Sequence, residues 1–364
     1  MRGEKDNQEW MLTTVSPDSV VPQDHPIRKI KALVDQQLAD LDPVFEKMYA
    51  DGGRPSIPPE RLVKATLLMA LFSIRSERQL CEQVAYNLMY RYFLDMNLMD
   101  QPFVPTVFTK NRDRFLEHEL GAKFFQGIVS QARAKGLISE EHFTVDSTLI
   151  EAWASMKSFK PQDQDPKAPG AGSNTGSNPD VNFHGEKRSN DTHRSITDPQ
   201  SRLLKKGKGK EAKLCYAFHT VTENRRGLIV ENRFTKAVGT TESKQAVFAI
   251  KRLKRRHFSP RTVGADKGFH NKDFVQGMRQ ADVIPHVAPM DNRHVEGLDG
   301  RTLRHQSYKI SQIKRKLIEQ PYGWFKTVAG FRKTRFRGLE KNRLIANFLA
   351  SAYNLVRMAK LLPA

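Results

Sequence analysis

Two hydrophobic grammars divide the chain. In the first part apolar positions recur every three or four residues, and Ile27, Ile30, Leu33, Val34 and Leu38 mark the buried stripe of a helix starting near His25. A second helix is predicted after Ser56-Ile57-Pro58-Pro59, where proline suits the first turn, and it carries Leu62, Ala65, Leu68, Met69 and Phe72. Ser76-Glu77-Arg78-Gln79 has the pattern of a capping box and opens a third, with Leu80, Val84 and Leu88 inward. Pro105-Thr106 opens a fourth, basic and aromatic through Phe108, Lys110, Arg112, Arg114 and Phe115. From His142 the period changes. His142–Asp146, Leu214–Val221 and Leu228–Phe234 predict strands, the last two joined by the turn-like Glu223-Asn224-Arg225-Arg226-Gly227. A helix over Thr241–Lys254, a strand at Thr262–Ala265, a helix capped by Asn271, a strand at Val283–Val287 and a long helix from about Gln306 follow.

Three strands and then alternating helices and strands is the order of an α/β ribonuclease-H-like mixed sheet with flanking helices, here preceded by an all-α N-terminal domain. The expected organisation is a flexible tail over 1–24, a helical N-terminal DNA-binding domain over 25–135 and a catalytic domain over 136–364. Residues 156–209 are far too long for a hairpin loop and are expected to be a flexible basic insert. Its Pro161–Asn178 portion reads as disordered linker, and Lys205-Lys206-Gly207-Lys208-Gly209-Lys210 as a cationic centre able to fold over a phosphate backbone or simply to solubilise. Periodicity alone leaves the four helices open between a helix-turn-helix-like DNA binder and a plain bundle with a charged face. Tyr86, Tyr90, Tyr92 and Phe93 read as core before they read as a stacking platform.

Charge sharpens the picture. Lys and Arg outnumber Asp and Glu by 60 to 40 in 364 residues, which calls for a polyanionic partner, nucleic acid before an acidic membrane surface. The longest apolar run, Leu67 to Phe72, is far short of the ~20 residues that span a bilayer. With no apolar leader near Met1, a cytoplasmic protein is expected, without membrane association. Cys81 and Cys215 stand alone, so neither a disulfide framework nor a structural zinc is expected.

The candidate chemistry lies in three acids. Asp146 falls at the first strand, Asp266 just after the fourth and Glu319 on the final helix, where this fold carries catalytic carboxylates. Between Arg301 and Arg337 there are 11 Lys or Arg residues and one acid, Glu319. A lone carboxylate among cations suits Mg²⁺ beside a phosphate, or an ion pair with Arg315 one helical turn earlier. Phosphodiester cleavage needs charge stabilised on both the attacking and leaving oxygens, which two Mg²⁺ ions about 3.5–4 Å apart accomplish. Asp146 would bridge both, with Asp266 and Glu319 each completing one. On a regular helix Arg315, Glu319 and Lys326 project to one side, where arginine clamps phosphate and lysine adds a point charge; Pro321 threatens a kink before Lys326. Trp324 is a candidate for stacking on a displaced base, with core packing the alternative, and Trp153 carries the same ambiguity.

At these residues the chain resembles the DDE transposases of bacterial insertion sequences, specifically the insertion sequence five group. The matching text is Thr144-Val145-Asp146-Ser147-Thr148 with Glu151-Ala152 and Ala154-Ser155, then Val263-Gly264-Ala265-Asp266-Lys267-Gly268, then Lys314-Arg315-Lys316 to Glu319, Tyr322-Gly323-Trp324 and Lys326. Phe331-Arg332-Lys333-Thr334-Arg335-Phe336-Arg337-Gly338 and Ala352-Tyr353-Asn354-Leu355 continue it, and Val34 to Phe115 looks like the helical domain that precedes the nuclease core. Arg315, Glu319 and Lys326 correspond to the last three letters of a Tyr-Arg-Glu-Lys signature, whose Tyr is Gln312 here, with Tyr308 the nearest aromatic. The resemblance implies an enzyme that binds terminal inverted repeats, cleaves DNA with Mg²⁺ (Mn²⁺ substituting) and transfers strands within a homodimer or larger synaptic assembly. Asp146, Asp266 and Glu319 would hold metal. Arg315, Lys326, Trp324, Lys314, Lys316, Arg332, Lys333, Arg335 and Arg337 would contact DNA. A transposase remnant that binds without cutting and a free-standing nuclease of the same fold are the competing readings.

Overall fold

The computed structural model describes residues 15–49, 52, 56–162, 188–205, 211–238, 241–290 and 295–363. Eight helices come first: α1 (Pro17–Val20), α2 (Pro26–Asp40), α3 (Asp42–Met48), α4 (Pro59–Leu71), α5 (Glu77–Tyr86), α6 (Leu88–Phe93), α7 (Thr106–Glu117) and α8 (Leu120–Ala134). The expected caps hold. His25 accepts from the Ile27 N–H and Pro26 follows it, while Ser76 accepts from the Gln79 N–H at 3.1 Å, so orphan donors of the first turns are satisfied. Helix α1 lies inside the stretch expected to be a tail, where Asp18 pairs with Arg28 at 2.7 Å and Val21 is buried. Tyr90 and Phe93 are core, and Tyr86 is exposed.

The strands are β1 (His142–Glu151), β2 (Phe159–Pro161), β3 (His193–Ser195), β4 (Arg202–Lys205), β5 (Ala212–Glu223), β6 (Ile229–Lys236), β7 (Thr262–Ala265) and β8 (Ile284–Val287). The main sheet runs β6-β5-β1-β7-β8, with β4 extending the β6 side of β5. The β6-β5-β1 half is antiparallel and the β1-β7-β8 half parallel. That order, three antiparallel strands and then two parallel ones added to the first, is the ribonuclease-H-like arrangement. The turn after β5 closes because the buried Glu223 carboxylate accepts from the N–H groups of Arg225 (2.8 Å) and Arg226 (2.6 Å), while Gly227 takes the left-handed φ of +74°. The remaining helices are α9 (Thr241–Arg255), α10 (Lys272–Gln280), α11 (Gly300–Arg304), α12 (Gln306–Lys314), α13 (Glu319–Lys326) and α14 (Leu339–Leu361).

Helix α14 is apolar on more than one face, as a helix buried between layers must be, and it packs against α8, α2, α4, α7 and β6. Its buried Asn354 accepts from the Ile229 N–H at 2.9 Å and donates to the Ile229 carbonyl at 2.7 Å, so a side chain satisfies the edge of β6. One contiguous core therefore runs from Val21 to Ala359 through both the helical region and the sheet.

The expected flexible insert is ordered where it is described. Strands β2 and β3 pair, and buried Asp198 accepts from the Tyr216 hydroxyl (2.7 Å) and the Gly338 N–H (3.2 Å), tying the insert to β5 and the C-terminal loop. Strand β4 adds to β5. Residues 163–187 and 206–210, hence most of the linker and of the Lys205–Lys210 centre, lie outside the described residues. No helix among the described residues is long and apolar enough to cross a membrane.

Candidate active site

Strand pairing brings two of the three acids together. Strand β1 pairs in parallel with β7 through Thr144↔Gly264, so Asp146 and Asp266 each lie two residues beyond the same pair. Side chains alternate along a strand and neighbouring strands run about 4.8 Å apart, so both carboxylates stand side by side on the face that carries Thr144 and Gly264. Glycine is needed at 264. A Cβ there would sit 3.0 Å from the Ser311 hydroxyl and 3.2 Å from that of Thr144, so its absence lets α12 settle on the sheet. Asp266 caps the turn after β7 by accepting from the Gly268 N–H at 2.8 Å.

The local field confirms the proximity. The Asp146 carboxyl is pushed up to about 7, first by desolvation and then by the charges of Asp266 and Glu242, against the lowering effect of the Ser147 N–H (2.7 Å) and Arg315. Glu242, in the first turn of α9, is raised as well, by burial and then by Asp266. It lines a small internal cavity with Asp146, Ser147 and His219. Sequence reasoning missed Glu242 because it belongs to no motif; its one signal was an acid opening the helix that follows the third core strand. Beside Asp146, Ser147 Oγ meets His219 Nδ1 at 2.6 Å and His219 Nε2 meets Thr235 at 2.8 Å, and burial pushes this imidazole down to about 4, so it stays neutral.

Glu319 is placed differently. It is exposed, it pairs with no cation among the described residues, and no three acids, histidines or cysteines there stand close enough to hold one metal ion. The alternative reading, an Arg315–Glu319 ion pair, is not met among the described residues. The chain neighbours of Glu319 do reach the site: Arg315–Ile318, just before it, pack on β1, and the Tyr322 hydroxyl, three residues on, donates to the Asp146 carbonyl at 2.6 Å.

The single long helix expected from Gln306 is broken. Residues Arg315–Ile318 form a 3-10 turn, and α13 begins afresh at Glu319. Pro321 thus falls in a first turn, where no intrahelical N–H is lost, and it bends nothing before Lys326. The same stretch disturbs the shared projection of Arg315, Glu319 and Lys326, since a 3-10 turn has about 3.0 residues per turn instead of 3.6 and so turns each side chain further around the axis. Arg315 Nε donates to Gln312 Oε1 (3.2 Å), and Gln312 Nε2 donates to the His286 carbonyl (2.6 Å). Gln312, where the signature has Tyr, is therefore the tether of Arg315. Lys326 donates to the Thr148 hydroxyl on the same face of β1 as Asp146.

Of the other expected DNA contacts, Lys314, Lys316, Arg332, Lys333, Arg335 and Arg337 are exposed. The loop carrying the last four is stitched to the end of β1, where the Glu151 N–H donates to the Arg332 carbonyl (3.0 Å) and the Thr334 N–H to the Glu151 carbonyl (2.8 Å). Trp324 is half-buried, edge-on to Phe325 and Tyr353 at 5.8 and 5.9 Å, which places its ring in the core and not on a DNA-facing platform. Trp153 is 48% exposed beneath the Lys333 ammonium at 5.7 Å.

Known proteins were compared with this geometry. Residues 15–114 match the family described as Transposase domain (DUF772), and residues 184–355 match Transposase DDE domain, together about three quarters of the chain. The second match takes in Asp266 and Glu319 but begins after Asp146. No curated protein matches in sequence. Among solved structures, a piggyBac transposase synaptic complex with hairpin DNA is similar at a TM-score of 0.41 and 9% identity over 92% of this chain and 75% of that one. A Mos1 transposase paired-end complex with left transposon end gives 0.21 and 11% over 78% and 82%, and a Mos1 mariner paired-end complex with Mn 0.20 and 10% over 84% and 88%. Such scores carry no argument, and the two matched domains do: the chain is a DDE transposase.

Proposed function

We propose that this chain is the transposase of a bacterial insertion sequence, binding the terminal inverted repeats of its element, cleaving the DNA ends and joining the freed 3′-hydroxyl to a target. The observation that carries the reading is the register of β1 on β7, which sets Asp146, within β1, beside Asp266, just past the end of β7. Their mutual repulsion, with an Asp146 carboxyl near 7, is the chemistry of hard oxygen donors suited to Mg²⁺. These two would hold the metal, with Glu319 joining from α13 and Glu242 adding negative charge behind them. When bound, the metal would activate the attacking hydroxyl and stabilise the leaving oxygen. The protein's own part is to fix the carboxylates by strand pairing, to keep Tyr322 on the Asp146 backbone, and to hold Arg315 through Gln312 where a phosphate oxygen would arrive. Exposed Lys314, Lys316, Arg332, Lys333, Arg335 and Arg337 would bind the backbone nonspecifically, with helices of residues 25–135 supplying recognition.

The exposed position of Glu319 favours a second reading, a transposase-derived protein that binds DNA without cutting. One experiment separates them. A labelled duplex carrying the DNA that flanks the gene is incubated with the full chain and Mg²⁺; the wild type cleaves, while Asp146→Ala and Glu319→Ala lose cleavage and still retard the duplex. Full cleavage by either variant removes the assignment, and binding without cleavage by the wild type selects the second reading. Affinity should also fall steeply with salt through counterion release.

A further inference from the structure

We propose that the large cavity between the helical region and the C-terminal loop receives one unpaired nucleotide of the bound DNA, base on its apolar floor and phosphate on its arginine rim. The inference rests on DNA being the partner. It assigns the helical region a part in strand handling beside the acids.

The cavity measures about 550 Å³, within the ~300–1,000 Å³ of sites for small organic ligands. Buried Leu62, Met69, Phe108 and Phe348 lie on its floor. Its cations come from both parts of the molecule, Arg75 and Arg112 from the helices and Lys326, Arg332, Lys333 and Arg335 from the C-terminal segment. A single acid, Glu77, answers them, and it is taken by Arg112. Arg75, Arg332, Lys333 and Arg335 have no ion-pair partner among the described residues. Desolvation first, then the charges of Arg112 and Arg75, push the Arg335 guanidinium below its ordinary value, against the raising effect of Glu77. Exposed cations without ion-pair partners around an apolar hollow suit an anion with a flat apolar body, and a nucleotide supplies both.

The ring faces fit the same occupant. Arg112 stacks over Phe336 at 4.5 Å, and exposed Trp153 stands on the lining. Lys326 joins the cavity to the acids. It lines the hollow and bonds Thr148, which lies about 7 Å along the strand from Asp146 at the usual rise of β structure. A DNA strand lying on the acids therefore reaches the rim with a neighbouring nucleotide. An unpaired one has no pairing to give up, which is the chief cost of turning a base outward.

The test compares, by fluorescence anisotropy at one salt concentration and without divalent metal, the full chain's affinity for a fully paired duplex and for the same duplex with one unpaired nucleotide near its end. The wild type should prefer the second by about fivefold to a hundredfold, the range that base stacking provides. Met69→Trp, which fills the floor, should abolish the preference while retaining the paired duplex. Arg75→Ala, on the exposed rim, should cut the preference about threefold or more. If Met69→Trp fails to fold, judged by its thermal transition, Arg75→Ala decides. An absent wild-type preference, or one that survives in the folded variants, overturns the inference. So does a change in sedimentation of Met69→Trp with DNA preference intact, which would seat a second copy of the chain in the hollow. Because metal is omitted, a chain that cleaves without preference refutes only this inference, and a chain with preference that never cleaves refutes only the transposition reading.

Discussion

Two regions supply the acids of the site, and they hold them in different ways. Asp146 stands within β1 and Asp266 one residue past the end of the parallel β7, so the ladder that closes at Thr144↔Gly264 positions both and repulsion is built in before any cation arrives. Glu319 opens a helix that follows a 3-10 turn; its side chain is exposed, although the turn before it packs on β1 and β5 and Tyr322 further along bonds the Asp146 carbonyl. The paired acids are therefore preorganised at an electrostatic cost, and the helix acid stands apart from them. The difference predicts a site half-built in the free chain, completed when metal and DNA draw Glu319 inward.

The largest effect should come from the strand pair. Asp266→Ala is expected to lower Mg²⁺-dependent cleavage by about a thousandfold or more, by loss of a metal donor. Glu319→Ala should cost comparable cleavage yet leave the free chain's metal-binding curve nearly unchanged, whereas Asp266→Ala should flatten it. Isothermal titration with Mg²⁺ distinguishes the two, and equal losses of affinity would erase the distinction between the regions.

Stability against pH comes next. The folded Asp146 carboxyl titrates near 7, above its unfolded value of 3.8, so the native state binds the proton more tightly. Its contribution is fully present below about pH 4 and is lost as pH rises through 7. Asp146→Asn should remove that dependence and leave the metal-free protein on the order of 2–4 kcal/mol more stable than wild type at pH 8, with little difference at pH 4. Urea unfolding at the two pH values measures it.

What was legible in the sequence followed the same division. Residues whose role is set by local period and by motif could be read: the stripe of α2 and its start near His25, the caps at Ser76 and Asn271, and strands β5, β6 and β7 within a few residues. The paired acids were also legible, since strand ends in a fixed order define their neighbourhood. Tertiary context hid the rest. Helix α14 is apolar around much of its surface and so shows a weak stripe, and α8 passed unnoticed between charged flanks. The insert strands β2, β3 and β4 are three or four residues long; β2 and β3 exist by pairing with each other and β4 by adding to β5. Glu242 reaches the acids only through the packing of α9 on the sheet, a relation absent from any spacing.

A smaller effect tests the tether of Arg315. Gln312 spans the His286 carbonyl and the Arg315 guanidinium, so Gln312→Ala should release the arginine and reduce cleavage by about tenfold, the scale of one hydrogen bond to a charged group. Gln312→Glu should keep the arginine in place, pairing it more strongly, but forfeit the donor to His286. Identical rates in wild type and Gln312→Ala would show that Arg315 is placed by DNA instead.

The smallest effect decides whether the helix break is intrinsic. In one continuous helix from Gln306 to Lys326, Pro321 would remove an interior hydrogen bond and clash with the preceding turn, a penalty of ~3 kcal/mol that Pro321→Ala would relieve. In the structure Pro321 sits buried in the first turn of α13, where the N–H has no partner to lose and the ring restrains the unfolded chain. Pro321→Ala should therefore destabilise the protein by about 0.4–1 kcal/mol from chain entropy, and somewhat more from lost packing. The sign of the shift in a urea midpoint is the readout. A gain in stability would mean that residues 306–326 prefer one helix, which would swing Glu319 back into phase with Arg315 and undo the contrast between a preformed strand pair and a waiting third acid.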